Sequence, residues 1–223
     1  MLSSDVTPVN LHMDLSCKVV VNSGELAWIA SAHPAVMRKP LAREAREGGH
    51  ATSIVKYEPG ASFSAHSHPG GEEIYVLEGT FSDEHGDYPA GTYLRNPPNS
   101  RHSPFSNEGC LLLVKLHQFQ PQDLSPVILD THKQPWRQGY GKLQVMPLHQ
   151  CGTESVALVK WPAGEVFQPH THFGGEEIWV LSGVFCDEHG SYPAGTWLRS
   201  PHLSSHTPYV DVDTVIWVKT GHL

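Results

Sequence analysis

The chain has 223 residues and a formal net charge of −8, with 39% hydrophobic residues, 20 glycines and 18 prolines. The acidic balance without a basic cluster argues against nucleic acid as a partner, and the glycine and proline content favours a turn-rich β protein. No apolar stretch approaches eighteen residues, and the N-terminus has no basic-then-apolar signal pattern. We therefore expect no membrane contact and a cytoplasmic location.

The N-terminal part of the chain predicts mixed local structure, and the remainder predicts strands. Cys17 to Val21 is typical of a strand, whereas the charged segment 42–47 could form one or two helical turns. From residue 52 onward, short apolar runs alternate with Gly, Pro, Asn or Asp clusters and show no helical period. This pattern predicts an all-β sandwich or barrel. The four cysteines lack C-x-x-C spacing, and we expect each to be a small buried side chain.

An internal repeat is the strongest feature of the sequence. Residues 57–104 align with residues 161–208 without a gap and share 28 identities in 48 positions. The stretch between the copies at 118–126 is polar and contains prolines. The repeat therefore predicts two domains. The first comprises residues 1–118, including leader strands, and the second comprises residues 119–223.

Each copy contains a His-x-His pair, a glycine-glycine turn, a glutamate and a later histidine, all related by an offset of 104 residues. Alternate residues of a strand face the same side, so His66 and His68 can point to one place. Three neutral imidazoles and a carboxylate suit a divalent transition metal, and we expect one zinc, iron, manganese or nickel ion per domain. The predicted ligands are His66, His68, Glu72 and His102 in the first copy, and His170, His172, Glu176 and His206 in the second.

Two alternatives bear on this ligand set. Glu73 or Glu177 could compete as the carboxylate ligand, but adjacent strand residues face opposite ways and the motif spacing favours Glu72 and Glu176. Four ligands leave two positions open on a six-coordinate ion and none on tetrahedral zinc. The ligand set alone therefore does not decide between a catalytic and a structural metal.

The first copy resembles the first motif of the cupin family, and the segment from Gly164 to Gly183 matches that motif equally well. The residues that carry the resemblance in the first copy are Gly60-x5-His66-x-His68-x3-Glu72-x6-Gly79.

The segment Pro97 to His102 resembles the second cupin motif. Asn99 and Leu203 stand where the motif has glycine, and Ser106 and Val210 replace its terminal asparagine. The resemblance covers residues 50–223. It implies two tandem double-stranded β-helix (jelly-roll) barrels, that is, a bicupin.

The repeated Asp-Glu-His-Gly turns at 83–86 and 187–190, together with the histidine spacing, are similar to the ChrR-like cupin domain. The resemblance implies the zinc-binding cupin domain of an anti-sigma factor. The His-x3-Cys-x2-Cys zinc motif of the sigma-binding helical domain does not occur in this sequence, so sigma-factor binding is not implied. We predict that His85 and His189 lie at solvated hairpin tips.

Other conspicuous side chains have structural interpretations. We expect the aromatic pairs Phe63/Phe167, Tyr75/Trp179 and Phe81/Phe185 to fill the barrels, with a pocket wall next to the metal as the alternative for some of them. Arg95 and Arg199 could bind an anionic substrate, but pairing with a nearby carboxylate is the favoured interpretation.

Two functional hypotheses follow. The first is a non-haem iron or manganese dioxygenase that acts on a small oxygen-chelating compound such as a diketone or an enol, with no catalytic residue identified beyond the ligands. The second is a non-catalytic zinc-binding sensor or regulatory module that responds to loss or rearrangement of its metal site. Both take a small molecule as partner, and the sequence leaves a homodimer open.

Overall fold

The computed structural model describes residues 10–31, 33, 35–46 and 48–223. Within these ranges the chain is all-β, with two single-turn 3-10 helices, η1 (Ser23–Glu25) and η2 (Thr131–Lys133), and no α-helix. Among the described residues, no helix has the length and apolar character needed to cross a membrane.

Twelve strands precede residue 118, and eleven follow it. The first twelve are β1 (Val19–Asn22), β2 (Ile29–Ala30), β3 (Val36–Arg43), β4 (Ala51–Tyr57), β5 (Ala61–Ser62), β6 (His66–His68), β7 (Glu72–Asp83), β8 (Gly86–Pro89), β9 (Thr92–Asn96), β10 (Ser100–His102), β11 (Phe105–Ser106) and β12 (Cys110–Leu116). The others are β13 (Val127–Asp130), β14 (Arg137–Gln138), β15 (Gln144–Cys151), β16 (Glu154–Trp161), β17 (His170–Thr171), β18 (Glu176–Ser182), β19 (Val184–Asp187), β20 (Gly190–Pro193), β21 (Thr196–Ser200), β22 (Ser205–His206) and β23 (Thr214–Thr220).

The strands form two large sheets of jelly-roll type. One has the order β13-β9-β7-β12-β4-β3-β2, with β5, β8 and β11 attached, and the other has the order β1-β21-β18-β23-β16-β15-β14. The pairs β6–β10, β17–β22 and β19–β20 are separate two-stranded sheets.

The two halves exchange their leading strands. The early strand β1 pairs with β21, so Val20 lies opposite Leu198. In return β13 pairs with β9, so Ile128 lies opposite Leu94. Each half therefore completes the sheet of the other half, which ties them together by backbone hydrogen bonds as well as by side chains.

Three apolar cores lie around these sheets. Phe81 belongs to a core built from first-half residues, and Phe185 to the matching core of the second half, as expected. Tyr75 and Trp179 lie instead in a third core, which also contains Trp197 and Trp217 and draws on both halves. The expectation that Tyr75 and Trp179 fill the barrels is therefore wrong. These two side chains point to the opposite sheet face, against the other half.

Buried ion pairs accompany this third core. Lys115 donates a hydrogen bond to Glu177, and Lys219 donates in turn to Glu73 over 2.7 Å. Each lysine thus pairs with a glutamate of the other half, and all four residues are at most 2% exposed. Burying such charges is costly unless they are paired, so the two halves depend on each other for charge compensation.

The two arginines of the repeat behave differently. Arg95 contacts Glu73 at 3.1 Å, Glu154 at 3.0 Å and also Asp123, so carboxylate pairing is confirmed for it. Arg199 donates instead to the backbone carbonyls of His12 and Asp14, at 2.6 and 2.9 Å.

Two local predictions from the sequence need correction. The helical turns expected over 42–47 are wrong, because β3 continues to Arg43 and pairs with β4, and residues 44–46 are irregular. Glu47 lies outside the described residues. The four cysteines are free thiols, as expected, but only Cys110 and Cys186 are buried. Cys17 is exposed and Cys151 is half-buried.

Candidate metal centres

The first histidine cluster is built on the short β6–β10 ladder. His66 lies directly opposite His102 in the antiparallel register, and His68 faces the same side two residues along β6. The three imidazole rings lie 4.8 to 5.1 Å apart between centroids. The Nε2 atoms of His68 and His102 are 2.9 Å apart, so they point at a common place.

Glu72 completes the first cluster from the start of β7. Its Oε2 atom lies 3.5 Å from the Nε2 atoms of both His68 and His102. Asn96, its partner across the β7–β9 ladder, donates a 3.0 Å hydrogen bond to the same oxygen. The structure therefore places Glu72 beside His68 and His102. Among the described residues, however, the group whose ligand atoms all lie within 4.8 Å of one another comprises His66, His68 and His102 without Glu72.

The second cluster repeats this geometry. His170 lies opposite His206 on the β17–β22 ladder. Glu176 Oε2 lies 3.5 Å from His172 Nε2 and 3.7 Å from His206 Nε2. One ligand atom from each of the four residues lies within 4.8 Å of the others. Ser200 replaces Asn96 as the ladder partner of the glutamate.

Hydrogen bonds at the far side of the rings set the orientation of the imidazoles. His66 Nδ1 lies 3.0 Å from the Ser64 carbonyl oxygen, and His102 Nδ1 lies 3.4 Å from Asp83 Oδ2. Because these acceptors require a proton on Nδ1, the unprotonated Nε2 atoms face the centre of the cluster. The second copy has the same contacts, from His170 to the Gln168 carbonyl and from His206 to Asp187.

Burial lowers the pKa of the four buried histidines, His68, His102, His172 and His206, and works against an ionised carboxylate. It lowers the pKa of His68 to about 4 and that of His172 to about 3. It also raises the pKa of Glu176 to about 8 and shifts that of Glu72 in the same direction. Nitrogen lone pairs and a carboxyl group thus converge at largely buried side chains.

This donor set fits a divalent transition metal. Within the part of the chain that the structure describes, His172 Nε2 is buried without a hydrogen-bond partner. Three imidazole nitrogens and one carboxylate are ligands that zinc, iron, manganese and nickel accept. A cation would satisfy the orphaned nitrogen and favour the ionised carboxylate.

Glu73 and Glu177, the competing carboxylates, point away from the clusters. Their side chains lie on the other face of the sheet, where they accept hydrogen bonds from Lys219 and Lys115. Because adjacent residues of a strand face opposite sides of the sheet, Glu73 and Glu177 face away from the side of Glu72 and Glu176.

The Asp-Glu-His-Gly turns have a role that was not predicted from the sequence. His85 and His189 are exposed tips, as predicted, but the aspartates support the last histidine of each cluster. The Glu84 and Glu188 side chains also accept the backbone N–H of the residue after that histidine, at 2.7 and 2.8 Å. A signal was present, because an aspartate stands 19 residues before the last histidine in both copies.

The loops before the last histidines keep a glycine-like backbone without glycine. Asn99 has φ 69° and Leu203 has φ 64°, both in the left-handed region. Their N–H groups donate to the carbonyls of His68 and His172, at 2.8 and 2.9 Å. The loop conformation implied by the cupin motif is therefore retained, at a cost in strain for the leucine.

The cavities beside the two clusters differ in size. The first is about 840 Å³ and is lined by His66, His68 and Glu72 together with Tyr57 and other side chains. The second is about 270 Å³. Its walls are mostly apolar, and its metal-cluster side chains are His170, Glu176 and His206.

A jelly-roll fold that carries these His/Glu clusters is the architecture of cupins. The family model of the ChrR Cupin-like domain matches residues 16–120 and 124–223, and the chain belongs to this family. No curated protein matches the chain.

Several solved structures are similar to this chain in fold. A "putative dioxygenase" from Nostoc punctiforme PCC 73102 has a TM-score of 0.79 at 14% identity, covering 93% of this chain and 84% of that one. Protein Ylba from E. coli has a TM-score of 0.70 at 16% identity, covering 97% and 94%. A mutant of Bacillus subtilis oxalate decarboxylase has a TM-score of 0.63 at 16% identity, covering 91% and 76%. At these identities the similarity shows the fold alone.

Proposed function

We propose that the chain is a bicupin with domains 1–118 and 119–223, each of which binds one divalent transition metal through its three histidines and its first glutamate. We further propose that the first domain is a metal-dependent dioxygenase for a small oxygen-chelating substrate. The observation that carries this proposal is the cavity of about 840 Å³ that adjoins His66, His68 and Glu72.

The size of this cavity supports a substrate site. A volume of several hundred Å³ is typical of pockets that enclose small molecules. Three histidines and one carboxylate leave two positions on a six-coordinate ion, and two oxygens of a chelating substrate could fill them. A wide cavity next to open positions has no purpose in a purely structural site.

The bound metal would supply Lewis acidity and redox chemistry at this site. The protein would orient the substrate and exclude water from it. Asp83 and the Ser64 carbonyl hold the histidines in their ligating orientation. Burial, reinforced by the charge of Glu72, raises the pKa of Tyr57 above its usual range, so this cavity-lining phenol stays neutral and can donate to a substrate oxygen. A dioxygenase places both atoms of dioxygen in its organic product and so needs no external reductant.

A structural or sensing role fits the second domain better. Its cavity of about 270 Å³ is small and largely apolar. The same four ligands on tetrahedral zinc would close the site. We therefore assign the second metal to folding, in keeping with the second hypothesis, that of a zinc-binding module.

Oxygen consumption tests the enzymatic proposal. Metal-replete protein is mixed with a panel of diketones, enols and 2-oxo acids in an oxygen electrode. We expect uptake of one dioxygen per substrate consumed for at least one compound. A panel without turnover, on protein that retains two chelator-resistant zinc ions per chain, would instead support the sensor.

Paired variants locate the reaction. His102→Ala is expected to abolish the oxygen uptake, whereas the matched His206→Ala, which disturbs the metal assigned to folding, is expected to retain most of the uptake per folded chain. Equal loss in both variants would contradict the assignment of catalysis to the first domain.

A further inference from the structure

We propose that Lys18 lowers the metal affinity of the second histidine cluster, acting on it through Asp187, the carboxylate that supports His206. This rests on the metal binding proposed above and specifies what regulates the affinity of the second site. Lys18 directly precedes β1, the leading strand of the first half that pairs with β21. The strand exchange therefore places a side chain of one half beside the metal cluster of the other half.

Lys18 and His206 share one oxygen of Asp187. The Lys18 ammonium donates a 2.9 Å hydrogen bond to Asp187 Oδ2, and His206 Nδ1 lies 3.4 Å from the same atom. Lys18 also donates to the Tyr192 hydroxyl over 3.3 Å. The side chain of Asp187 is fully buried and that of Lys18 is 30% exposed, so salt screens this pair less than an exposed one. The lysine thus competes with the imidazole for the carboxylate that orients it.

The first half has a proline at the position equivalent to Lys18. The strands β1 and β13 pair in the same register, in which Val19 and Val127 lie opposite the two arginines of the repeat. The residues that directly precede these strands, Lys18 and Pro126, are therefore equivalent. Since proline has no charge, the supporting carboxylate of the first cluster, Asp83, receives no cation from this position.

Charge repulsion determines the direction of the effect. Burial raises the pKa of Glu176 to about 8, and the charge of Lys18 is the largest effect that opposes this rise, so Lys18 acts on the cluster itself. A divalent ion that displaces one proton from Glu176 still adds net positive charge beside Lys18. This addition is unfavourable, and more so at a buried site than in water.

The shared carboxylate has a second effect in the same direction. A carboxylate that accepts a hydrogen bond from the second nitrogen of an imidazole makes that imidazole a better metal ligand. Because Asp187 is paired with Lys18, it is a weaker acceptor for His206 than an unpaired carboxylate would be. Removal of Lys18 should therefore strengthen the ligand as well as relieve the repulsion. Asp187 would keep the hydrogen bonds that it accepts from Tyr192, His189 and Gly190.

The cobalt affinity of the second site alone tests the proposal. The background variant His102→Ala removes a ligand of the first site, and cobalt(II) binding to the full-length chain is then measured by competition with a chelator. Addition of Lys18→Met, an uncharged side chain of similar length, should tighten binding about tenfold, and at least threefold. A purely structural role of Lys18 predicts unchanged or weaker binding instead, because the variant leaves a buried carboxylate without its cation.

The matched control is Lys133→Met, which removes the same charge from an exposed lysine that pairs with Asp130. It should leave the cobalt affinity within about twofold of the parent. Unchanged or weaker binding in Lys18→Met would overturn the proposal. If Lys18→Met does not fold, the reciprocal Pro126→Lys decides in the His206→Ala background. It should weaken cobalt binding at the first site at least threefold, and unchanged binding there would equally overturn the proposal.

Failure of the proposed metal binding would have a different result. A wild-type chain that binds no cobalt would overturn both proposals. Two bound ions in the wild type, with no tightening of the second site in Lys18→Met, would overturn the role of Lys18 alone.

Discussion

The two halves of the molecule have the same four candidate ligands on equivalent strands. They differ in how closely the glutamate joins the histidines and in the space beside the cluster. The first cavity is about 840 Å³ and carries two arginines, whereas the second is about 270 Å³ and has a valine at the position of Arg38. The histidines and their supporting aspartates are the same in both halves, whereas the wall strands β3 and β15 differ in sequence. In both halves the histidines and the glutamate form a candidate metal site, whereas the walls of the two cavities present different residues to a bound molecule.

The largest effect is expected where the halves compensate each other's buried charges. After loss of Lys115, Glu177 would keep His222 and Trp197, each at 3.3 Å. After loss of Lys219, both of its partners, Glu73 and Glu154, would keep the charged Arg95, at 3.1 and 3.0 Å. Lys115→Met should therefore lower the free energy of unfolding by about 3–5 kcal/mol. The matched Lys219→Met should cost about half as much. Urea unfolding measures both, and equal losses would show that the charge networks are not asymmetric.

The stability of the protein should depend on pH through Glu73, the second of the two adjacent glutamates of the motif. Burial opposes ionisation of Glu73, but the charges of Lys219 and Arg95 outweigh it and hold its pKa at about 2, below the ordinary 4.5. Since the folded pKa is depressed, the resulting stability is present above pH 4.5 and is lost as the pH falls toward 2. This loss amounts to about 2–3 kcal/mol.

The variant Glu73→Gln tests that assignment. Its unfolding free energy at pH 7 should be lower than that of the wild type, with a flatter profile between pH 4.5 and 2. A profile as steep as that of the wild type would assign the acid sensitivity to other carboxylates.

The metal affinity of each site should depend on the supporting aspartate of its own half and not on that of the other half. Asp83 holds the ring of His102 at 3.4 Å, and loss of such a partner costs about 10–100-fold in metal affinity. Asp83→Asn should therefore release one ion of two at a lower chelator concentration. Asp187→Asn is the matched control and should weaken the other site. Unchanged release from Asp83→Asn would exclude an orienting role for this carboxylate.

The smallest effect concerns the strained loops. Leu203 is 57% exposed and has a left-handed backbone, so Leu203→Gly should stabilise the protein by about 0.5–1 kcal/mol, with the lost strain exceeding the added chain entropy. Asn99→Gly should change stability by less than half of that, because asparagine tolerates this conformation. Thermal unfolding compares the two, and destabilisation by Leu203→Gly would show that its side chain makes compensating contacts.

The candidate site could be predicted from the sequence because its geometry is local. His66 and His68 share a strand face, and Glu72 follows a two-glycine turn, so spacing alone brings them together. The repeat then identified the second copy. Asp83 and Asp187 were missed because their turns were interpreted only as solvated tips.

The all-β class followed from the same local patterns, but the strand exchange and the third core did not. The pairing of β1 with β21 joins residues almost 180 positions apart, and no local pattern encodes it. The difference in size and lining between the two cavities was also not predictable from the repeat. One difference between the two walls lies on β3, upstream of the 57–104 repeat, where the ladder equivalent of Arg38 is Val145, three residues beyond the 104-residue offset.

Elemental analysis of protein purified without added metal tests the central claim most directly. We expect about two divalent transition-metal ions per chain in the wild type, and about one in each of His102→Ala and His206→Ala. A wild type with no bound metal, or variants that retain both ions, would contradict the assignment of one metal to each histidine cluster.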